Sequence, residues 1–375
     1  MTNQSGYQTA IVLQGGGALG AYEYGVLKAL YEARPDFTPA VVTGVSIGAI
    51  TAAVLVGAPS DPIGALGELW QTYFAVFGAL PHPVREWSDA LLPEESQQAA
   101  AMLGNHGMYS FRPDYLVNPC AADSIYDTTP LRKTLRKLVD PKTLNESKTR
   151  LVVGAVDVAS GEFKTFDNRD PGGLSFEHIV ASGSLPPNFP NVKIKVNGKT
   201  HHYWDGGLFW NTPLSPAINC LEECGVDKAD TRRELLVVEL FPACGAVPRD
   251  MAGVMNRLSQ LLFASKLDLD ADLFVKLNSF IDLALEIDRA VPADCVAVRN
   301  NPGYKKLISH KKIDAFNIIR SKMPLERGNA GDFSKASLDW RIAAGYKDAA
   351  AQGIGKPKPV STMVAQLKAN SQNLE

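Results

Sequence analysis

The sequence predicts an α/β fold in which a mostly parallel central sheet is flanked by helices. Residues 9–14 form a short apolar run that ends at Gly15, which is typical of a buried strand, and residues 18–33 carry apolar side chains at helical spacing. A second apolar run at 41–45 leads into an alanine-rich segment at 47–56, which predicts another strand and another helix. Strand, helix and strand within about 35 residues form a βαβ unit, and such units require parallel strands covered by helices.

Further elements follow along the chain. Residues 61–126 mix aromatic residues with Pro and Gly, and we expect a helical or irregular insertion over the sheet. Pro130, directly after two threonines, marks the start of the next helix. Apolar runs predict three more strands at 151–158, 201–204 and 234–240.

The last third of the chain has a different pattern, with long amphipathic helices predicted at 251–266 and 270–290. We therefore expect a first domain over residues 1–247, a mostly helical C-terminal extension packed on it over 248–352, and a flexible tail over 353–375. An apolar stripe on the long helices is expected to pack in the core: Leu261, Leu262, Leu267, Leu269 and Phe274.

Composition argues against a disordered chain and disfavours a purely nucleic-acid-binding protein. Of the 375 residues, 45% are hydrophobic and 21% are charged, which is typical of a folded globular chain and not of a disordered one. The formal net charge of −2 gives no general electrostatic basis for binding nucleic acid. The charge is uneven, since the chain from Arg299 onward carries 14 Lys and Arg against 6 Asp and Glu. This basic region is either an ordinary solvated surface or a peripheral contact with anionic lipid headgroups.

The cysteines and the N-terminus indicate a cytoplasmic protein. The five cysteines match neither a disulfide framework nor a zinc-binding pattern, and the polar N-terminus lacks the features of a secretory signal. Residues 38–60 contain no charged residue and are long enough to cross a bilayer. Because this stretch also contains a predicted strand, a turn and a helix, we interpret it as buried interior and predict no transmembrane helix.

A candidate nucleophile lies where the second predicted strand meets its helix. There the sequence reads Gly44-Val45-Ser46-Ile47-Gly48, which has the form Gly-x-Ser-x-Gly. A serine in such a sharp strand-to-helix turn projects its hydroxyl above the sheet, and small residues two positions before and after allow the turn to close. The ordinary alternative is a strand-to-helix turn without catalytic function.

A glycine-rich loop, Gly15-Gly16-Gly17-Ala18-Leu19-Gly20, joins the first predicted strand to the first helix. Consecutive glycines allow backbone amides to converge on one space, and the helix N-terminus adds partial positive charge, so the loop is suited to hold an oxyanion. A phosphate-binding Walker loop would end in Gly-Lys-Ser/Thr, and this loop does not. A dinucleotide fingerprint fits poorly, because no clear acidic residue follows the next strand.

A candidate base follows the predicted strand at 201–204, where the sequence reads Asp205-Gly206-Gly207. Asp-Gly-Gly on its own is most often a tight turn. A carboxylate with a pKa of about 3.9 is a weak base, so Asp205 requires a dry pocket to accept a proton from serine.

In this order, the glycine loop, the Gly-x-Ser-x-Gly turn and Asp-Gly-Gly resemble the patatin-like phospholipases, which use a Ser-Asp dyad. Two further stretches are similar to that family: Tyr-Asp-Thr-Thr-Pro-Leu-Arg at 126–132 and Ala-Ser-Gly-Ser-Leu-Pro-Pro-Asn-Phe-Pro at 181–190. The resemblance covers residues 9–213. Residues 331–337 and 344–349 resemble the C-terminal extension of one bacterial branch of the family.

The resemblance implies a three-layer sandwich with Ser46 as the nucleophile, Asp205 as the base and Gly15, Gly16 and Gly17 as the oxyanion loop. Gly20, Gly44, Gly48, Gly206 and Gly207 match the motif glycines. Two positions depart from the family pattern. Leu19 stands where a basic residue is usual, which weakens the case for holding a headgroup phosphate, and Val45 stands where Thr is common.

Histidine offers an alternative to the dyad. Ser46, an Asp and His310 would follow the Ser…Asp…His order of α/β-hydrolases, although the turn at Ser46 comes after only the second strand and His310 lies in a polar Ser-His-Lys-Lys segment. His201 shares a strand face with Asp205, and we expect it to be structural.

The expected activity is hydrolysis of the acyl esters of lipids, as in phospholipase A or lysophospholipase, through an acyl-enzyme and without metal or cofactor. Three alternatives remain open: hydrolysis of soluble hydroxyacyl esters or polyester oligomers, a Ser-His-Asp hydrolase, and a non-catalytic lipid-binding scaffold. The expected partner is a lipid or another acyl ester, and the sequence leaves the oligomeric state open.

Overall fold

The computed structural model describes residues 6–76, 104–224, 231–264 and 267–362, except for the side chains of 267–274. The strands in chain order are β1 (Tyr7–Leu13), β2 (Val41–Val45), β3 (Gly104–Asn105), β4 (Tyr109–Phe111), β5 (Tyr126–Asp127), β6 (Arg150–Asp157), β7 (Phe163–Asp167), β8 (Val192–Val196), β9 (Lys199–Asp205), β10 (Arg232–Glu239) and β11 (Ala315–Arg320).

The main sheet has the order β11-β10-β1-β2-β6-β9-β8, and β7 also pairs with β6. The strands from β11 to β6 are mutually parallel, whereas β7 and β9 each pair antiparallel with β6, and β8 pairs antiparallel with β9. A second, small sheet consists of β3, β4 and β5. The predicted α/β class with a mostly parallel sheet is therefore confirmed. The sequence did not indicate β7, β8, β11 or the small sheet.

The helices in chain order are α1 (Ala21–Ala33), α2 (Ile47–Gly57), α3 (Pro62–Glu68), α4 (Pro113–Val117), α5 (Thr129–Leu138), α6 (Pro141–Glu146), α7 (Phe176–Ser182), α8 (Leu214–Glu223), α9 (Met251–Phe263), α10 (Leu267–Ala290), α11 (Val296–Arg299), α12 (Pro302–Ser309) and α13 (Lys335–Ala351). A π-helical turn at Leu69–Tyr73 continues α3, and short 3₁₀ turns occur at Gly17–Gly20, Gly206–Leu208 and Leu325–Arg327.

Helices cover both faces of the main sheet. On β1, Ile11 and Leu13 face the larger core, which they share with residues of α1, α2 and α13. Ala10 and Val12 point to the opposite face and join a smaller core with residues of α8. This alternation is the period of two expected of a strand buried on both sides, and it gives three layers.

Most of the uncharged stretch at 38–60 is interior. All residues of β2 and α2 are buried, and Thr43 and Thr51 are the polar side chains in these two elements. In the described parts of the chain, none of the helices combines the length and the apolar character needed to cross a membrane. The lack of charge in this stretch is therefore explained by burial between the sheet and its neighbouring helices.

The C-terminal region is joined to the main sheet and is not only helical. β11 pairs with β10 at one edge of the sheet, and α13 packs along α1. The two helices approach each other closely at two glycines. A side chain on Gly25 would collide with the carbonyl of Ile342, and one on Gly345 would collide with the carbonyl of Tyr22. The predicted division into domains at 247 remains a prediction.

Two predictions for the C-terminal region need correction. The predicted flexible tail does not hold for residues 353–362, because Phe316 donates to Lys358 O at 2.8 Å and Arg34 binds the carbonyls of Ile354 and Gly355. Residues 363–375 lie outside the described part. The apolar stripe is wrong for Leu261 and Leu262, which are 49% and 65% exposed. The other three stripe residues have no described side chains.

The predicted insertion at 61–126 is described in two parts, and residues 77–103 lie outside them. In the first part, α3 and the π-helical turn bury Leu66, Leu69 and Trp70 against the larger core. Asp61 caps α3 by accepting from the Gly64 amide at 2.9 Å. The second part contains the small three-stranded sheet.

Candidate active site

Ser46 lies in a strained turn between β2 and α2. It has φ 56° and ψ −125°, a backbone conformation that non-glycine residues rarely adopt. The turn closes only because its neighbours lack side chains: a Cβ on Gly44 would collide with the carbonyl of Gly48, and one on Gly48 would lie 2.5 Å from Leu13 O. The strand-to-helix turn predicted from Gly-x-Ser-x-Gly is thus present in the fold, and it projects the serine hydroxyl beyond the carboxyl end of β2.

Asp205, the last residue of β9, lies beside Ser46 and is only 2% exposed. The Gly207 amide donates to Asp205 Oδ1 at 2.7 Å, and the Ser46 hydroxyl lies near the same carboxylate. Burial raises the pKa of Asp205 to about 7, although the Ser46 hydroxyl and the Gly207 amide oppose the shift. The carboxylate is consequently a much stronger base than an exposed aspartate.

The glycine loop reaches the same point from the end of β1. The Gly15 amide donates to Asn211 O at 3.3 Å, and the Ala18 amide donates to Ala330 O at 2.8 Å. Within the described chain, the amides of Gly16 and Gly17 have no protein acceptor. Gly17 has φ 56°, and a Cβ there would lie 2.5 Å from Ala330 O.

The remaining motif glycines are also close-contact positions. A Cβ on Gly20 would lie 2.8 Å from Ile47 Cγ1, and one on Gly206 would lie 2.5 Å from Gly154 O. A Cβ on Gly207 would lie 2.8 Å from Asn211 Oδ1. These glycines allow the turns at the carboxyl ends of β1, β2 and β9 to pack directly on one another.

These turns open into a cavity of about 560 Å³, a volume typical of small-molecule sites. Ser46, Asp205 and the three loop glycines line it at one side. The rest of the lining is mostly apolar and aromatic, from segments distant in sequence: Met108, Tyr109, Tyr126, Leu185, Phe189, Phe241, Phe263 and Phe333. Tyr109 contacts the rings of Tyr126 and Phe189 at centroid distances of 4.6 and 5.5 Å.

The stretch 181–190 holds both candidate catalytic residues by its backbone. The Ser46 amide donates to Ser182 O at 3.0 Å and to Ser182 Oγ at 3.1 Å, and Ser182 Oγ in turn donates to Gly154 O at 2.6 Å. The Asp205 amide donates to Ser184 O at 3.0 Å. The sequence indicated this stretch only by its resemblance to the family. It gave no physical reason to expect the stretch beside Ser46 and Asp205.

Two amide side chains, which the sequence analysis missed, connect the loops around the cavity. Asn211 Nδ2 donates to Gly15 O at 3.1 Å and to Phe263 O at 2.9 Å. The buried Gln14 side chain also donates to Phe263 O, at 3.0 Å, and its Oε1 accepts from the Leu240 amide at 2.6 Å. The end of α9 is therefore attached to the glycine loop. No sequence signal could have found this, because the partners lie more than fifty residues apart.

No histidine in the described part of the chain lines the cavity. His310 lies beside Glu222, with Nδ1 3.3 Å from Oε1, and is 43% exposed. His201 Nδ1 lies 2.7 Å from Asp157 Oδ2. The residues needed for the Ser-His-Asp alternative are thus not brought together here, and His82 lies outside the described residues.

Comparison with known proteins identifies the family of the chain. The profile of the family described as Patatin-like phospholipase matches residues 11–218, more than half of the chain. The chain belongs to the patatin-like phospholipase family. The family comprises lipid acyl hydrolases, and Ser46 and Asp205 of this patatin-like chain lie within the matched segment. No curated protein sequence matches the chain significantly.

Among solved structures, the patatin-like chain is similar to the crystal structure of VipD from Legionella pneumophila. The two share 16% sequence identity with a TM-score of 0.39, and the alignment covers 92% of this chain and 66% of that one. The chain thus spans just under two thirds of the length of the VipD chain.

Proposed function

We propose that this protein is a serine acyl hydrolase that cleaves lipid esters with Ser46 as the nucleophile and Asp205 as the general base. The observation that carries the proposal is the position of the Ser46 hydroxyl beside the buried Asp205 carboxylate, at the side of an apolar cavity. A nucleophile within hydrogen-bond reach of its base is the minimum arrangement for acyl transfer.

In the proposed first step, the Ser46 hydroxyl proton moves to Asp205 as the serine oxygen attacks the ester carbonyl carbon. Asp205 then returns this proton to the leaving alcohol, and an acyl-enzyme remains. In the second step Asp205 takes a proton from water as the water oxygen attacks the acyl-enzyme carbonyl. Asp205 then returns this proton to Ser46 Oγ as the bond to the acyl group breaks, and the acid is released. A pKa raised to about 7 makes Asp205 suited to both proton transfers near neutral pH.

The negative charge of the tetrahedral intermediate requires donors that exist before the reaction. Of the predicted trio, we assign this role to the amides of Gly16 and Gly17, because the Gly15 amide already donates to Asn211 O. Each such donor typically contributes about 2.7–4 kcal/mol to kcat.

The cavity lining supports an acyl chain as the ligand. Nine apolar or aromatic side chains line it, whereas Asp205 is the one ionisable carboxylate of the described lining. Burial of a methylene group in such a lining contributes about 0.8 kcal/mol, so affinity is expected to rise with acyl length. Peripheral contact of the basic C-terminal region with anionic lipid remains a prediction.

The proposal is tested with 4-nitrophenyl esters of graded chain length and with phospholipid vesicles. The wild-type protein is expected to hydrolyse medium or long acyl esters, and Ser46→Ala is expected to lose activity by a factor on the order of 10⁴ to 10⁶. His310→Ala is the control and is expected to retain wild-type rates, since His310 lies beside Glu222.

Other outcomes distinguish the alternatives. Turnover of short soluble esters without turnover of vesicles would favour a hydrolase of soluble hydroxyacyl esters. Loss of activity in His310→Ala would replace the dyad by a triad. If the wild-type protein hydrolyses no ester, the catalytic proposal is wrong.

A further inference from the structure

Arg341, on α13, lies outside the segment that matches the family and is fully buried. Its Nη1 donates to Asp332 O at 2.6 Å and to Ala18 O at 3.4 Å, and its Nη2 donates to the carbonyls of Arg327 and Asn329, both at 3.0 Å. One side chain therefore holds three carbonyls of the segment 327–332 and one carbonyl of the glycine loop.

The same segment, 327–333, forms part of the cavity and touches the glycine loop. Asn329, Ala330, Gly331 and Phe333 line the cavity. Ala330 O accepts from the Ala18 amide at 2.8 Å and lies so close to Gly17 that no side chain fits there. Any shift of Ala330 must consequently move Gly17 or Ala18.

The burial of Arg341 is costly, which argues against a role as ordinary core packing. Burial lowers its pKa to about 10, with the nearby charge of Arg327 acting in the same direction and that of Asp332 opposing it. Its Nε has no acceptor within the described chain. No carboxylate oxygen receives a hydrogen bond from its guanidinium in the described structure; all four acceptors are backbone carbonyls. A buried cation without a hydrogen-bonded carboxylate is normally destabilising compared with an apolar residue.

Asp332 adds rigidity to this segment. Its Oδ1 accepts from the Ser334 amide at 3.0 Å and its Oδ2 accepts from the Ser337 hydroxyl, so the segment is tied to the start of α13. The Phe333 carbonyl accepts from the Val76 amide at 3.0 Å. With carbonyls 327, 329 and 332 held by one planar guanidinium, the direction of the intervening Ala330 carbonyl is fixed.

We infer that Arg341 is a positioning residue for catalysis, which sets the geometry of the glycine loop through the 327–333 segment. This inference rests on the proposed function, because it assumes that the Gly16 and Gly17 amides stabilise the oxyanion. The guanidinium is suited to this role because its fixed fork of donors reaches carbonyls on two sides, which the single ammonium group of lysine does not.

The test compares three variants of Arg341 with a matched control. Arg341→Lys, Arg341→Met and Arg341→Ala are expected to lower kcat by about 100-fold, as for a misplacement of about 1 Å, with little change in KM. Added guanidinium ion at low millimolar concentration is expected to restore part of the kcat of Arg341→Ala, because it can occupy the vacated space. Each protein is checked for folding by its thermal transition.

Arg299→Met is the control. Arg299 also donates to backbone carbonyls, at Pro292 O (3.1 Å) and Val291 O (2.5 Å), but neither residue lines the cavity. An unchanged kcat is expected for this variant.

The outcomes separate the two proposals. Labelling of Ser46 by a fluorophosphonate tests the nucleophile, and its failure in the wild-type protein contradicts the proposed function. If Ser46 is labelled but folded Arg341→Lys and Arg341→Met retain wild-type kcat, the positioning role is wrong while the proposed function stands. The role is also wrong if the variants raise KM alone, or if guanidinium restores the thermal transition but not kcat.

Discussion

The segment that matches the family and the C-terminal region contribute to the cavity in different ways. In the first, Ser46, Asp205 and the glycine loop occupy short motifs whose glycines permit backbone contacts. In the second, residues 327–333 contribute backbone carbonyls and one aromatic ring, held by a buried arginine. The candidate catalytic groups therefore lie in short local motifs. The hydrogen bonds that hold these motifs in place come from residues as far as 323 positions away. We therefore expect substitutions in the first region to cause large losses of kcat. Substitutions in the second region are expected to cause smaller changes, in which activity and stability can be measured apart.

After Ser46→Ala, the largest effect is expected for Asp205→Asn. Loss of the base is expected to lower kcat by about 10⁴-fold, and the kcat/KM of the wild-type protein is expected to fall as pH drops below about 7, because Asp205 becomes protonated. Stability and activity are expected to change in opposite directions. Because its pKa is raised, Asp205 binds a proton more tightly in the folded protein than in the unfolded chain. The free energy of unfolding is therefore higher at low pH and falls as the pH rises through about 7.

The same substitution is also expected to change stability. The amide in Asp205→Asn keeps an acceptor for the Gly207 N–H but carries no charge, so this variant is expected to raise the free energy of unfolding at pH 8 by roughly 1–4 kcal/mol. Chemical denaturation at pH 5 and pH 8 measures the difference. Equal stability of the variant and the wild-type protein at both pH values would contradict a raised pKa at Asp205.

A smaller effect is expected where the two regions touch. Gly17→Ala introduces a Cβ that would lie 2.5 Å from Ala330 O, and it is expected to lower kcat by about 100-fold with little change in KM. Gly161→Ala is the matched control, because Gly161 also has positive φ, at 71°, but has open space around it. Both variants lose stability from backbone strain, so a similar loss of activity in both would show that strain alone is responsible.

The C-terminal contribution to the cavity wall is tested with Phe333→Leu. Phe333 is 3% exposed and packs edge-on against Phe74 and Tyr109. The smaller side chain is expected to raise the ratio of kcat/KM for longer or bulkier acyl esters to kcat/KM for shorter ones by about 10-fold. This is the scale of a methylene-sized change in an apolar pocket. Phe316→Leu, in the smaller core on the opposite face of the sheet, is expected to lose stability without a change in selectivity.

The smallest effect concerns stability alone. Glu23, on α1, is fully buried, and neither carboxyl oxygen has a hydrogen-bond partner of normal geometry in the described chain. Burial raises its pKa well above the ordinary value, and the nearby backbone N–H of Gln14 and the hydroxyl of Thr51 offset this rise only in part. Stability from the bound proton is therefore lost as pH rises, and Glu23→Gln is expected to lose less stability than the wild-type protein between pH 6 and pH 9. Glu32→Gln, at an exposed position of the same helix, is expected to match the wild-type protein.

The sequence predicted the parts of the fold that depend on local patterns. The strand at 41–45 and the adjoining helix were located almost to the residue, because both are wholly apolar and are joined by a glycine-flanked turn. β11 was missed, since its burial depends on pairing with β10, which lies far earlier in the chain. The exposure of Leu261 and Leu262 was also missed, because helical periodicity gives an apolar face but not what covers it.

The same distinction holds for the candidate site. Ser46, Asp205 and the glycine loop lie in motifs that a reader of the sequence can recognise, and the structure brings them to one cavity. Asn211 and Arg341 act through carbonyls of distant residues, and any residue type can supply a carbonyl, so no motif marks such a contact.

The Ser46–Asp205 dyad is tested most directly by peptide mass spectrometry after reaction with a fluorophosphonate. One adduct is expected, on the peptide containing Ser46, with labelling absent in Ser46→Ala and strongly slowed in Asp205→Asn. An adduct on another residue, or labelling that persists in Ser46→Ala, would contradict the dyad.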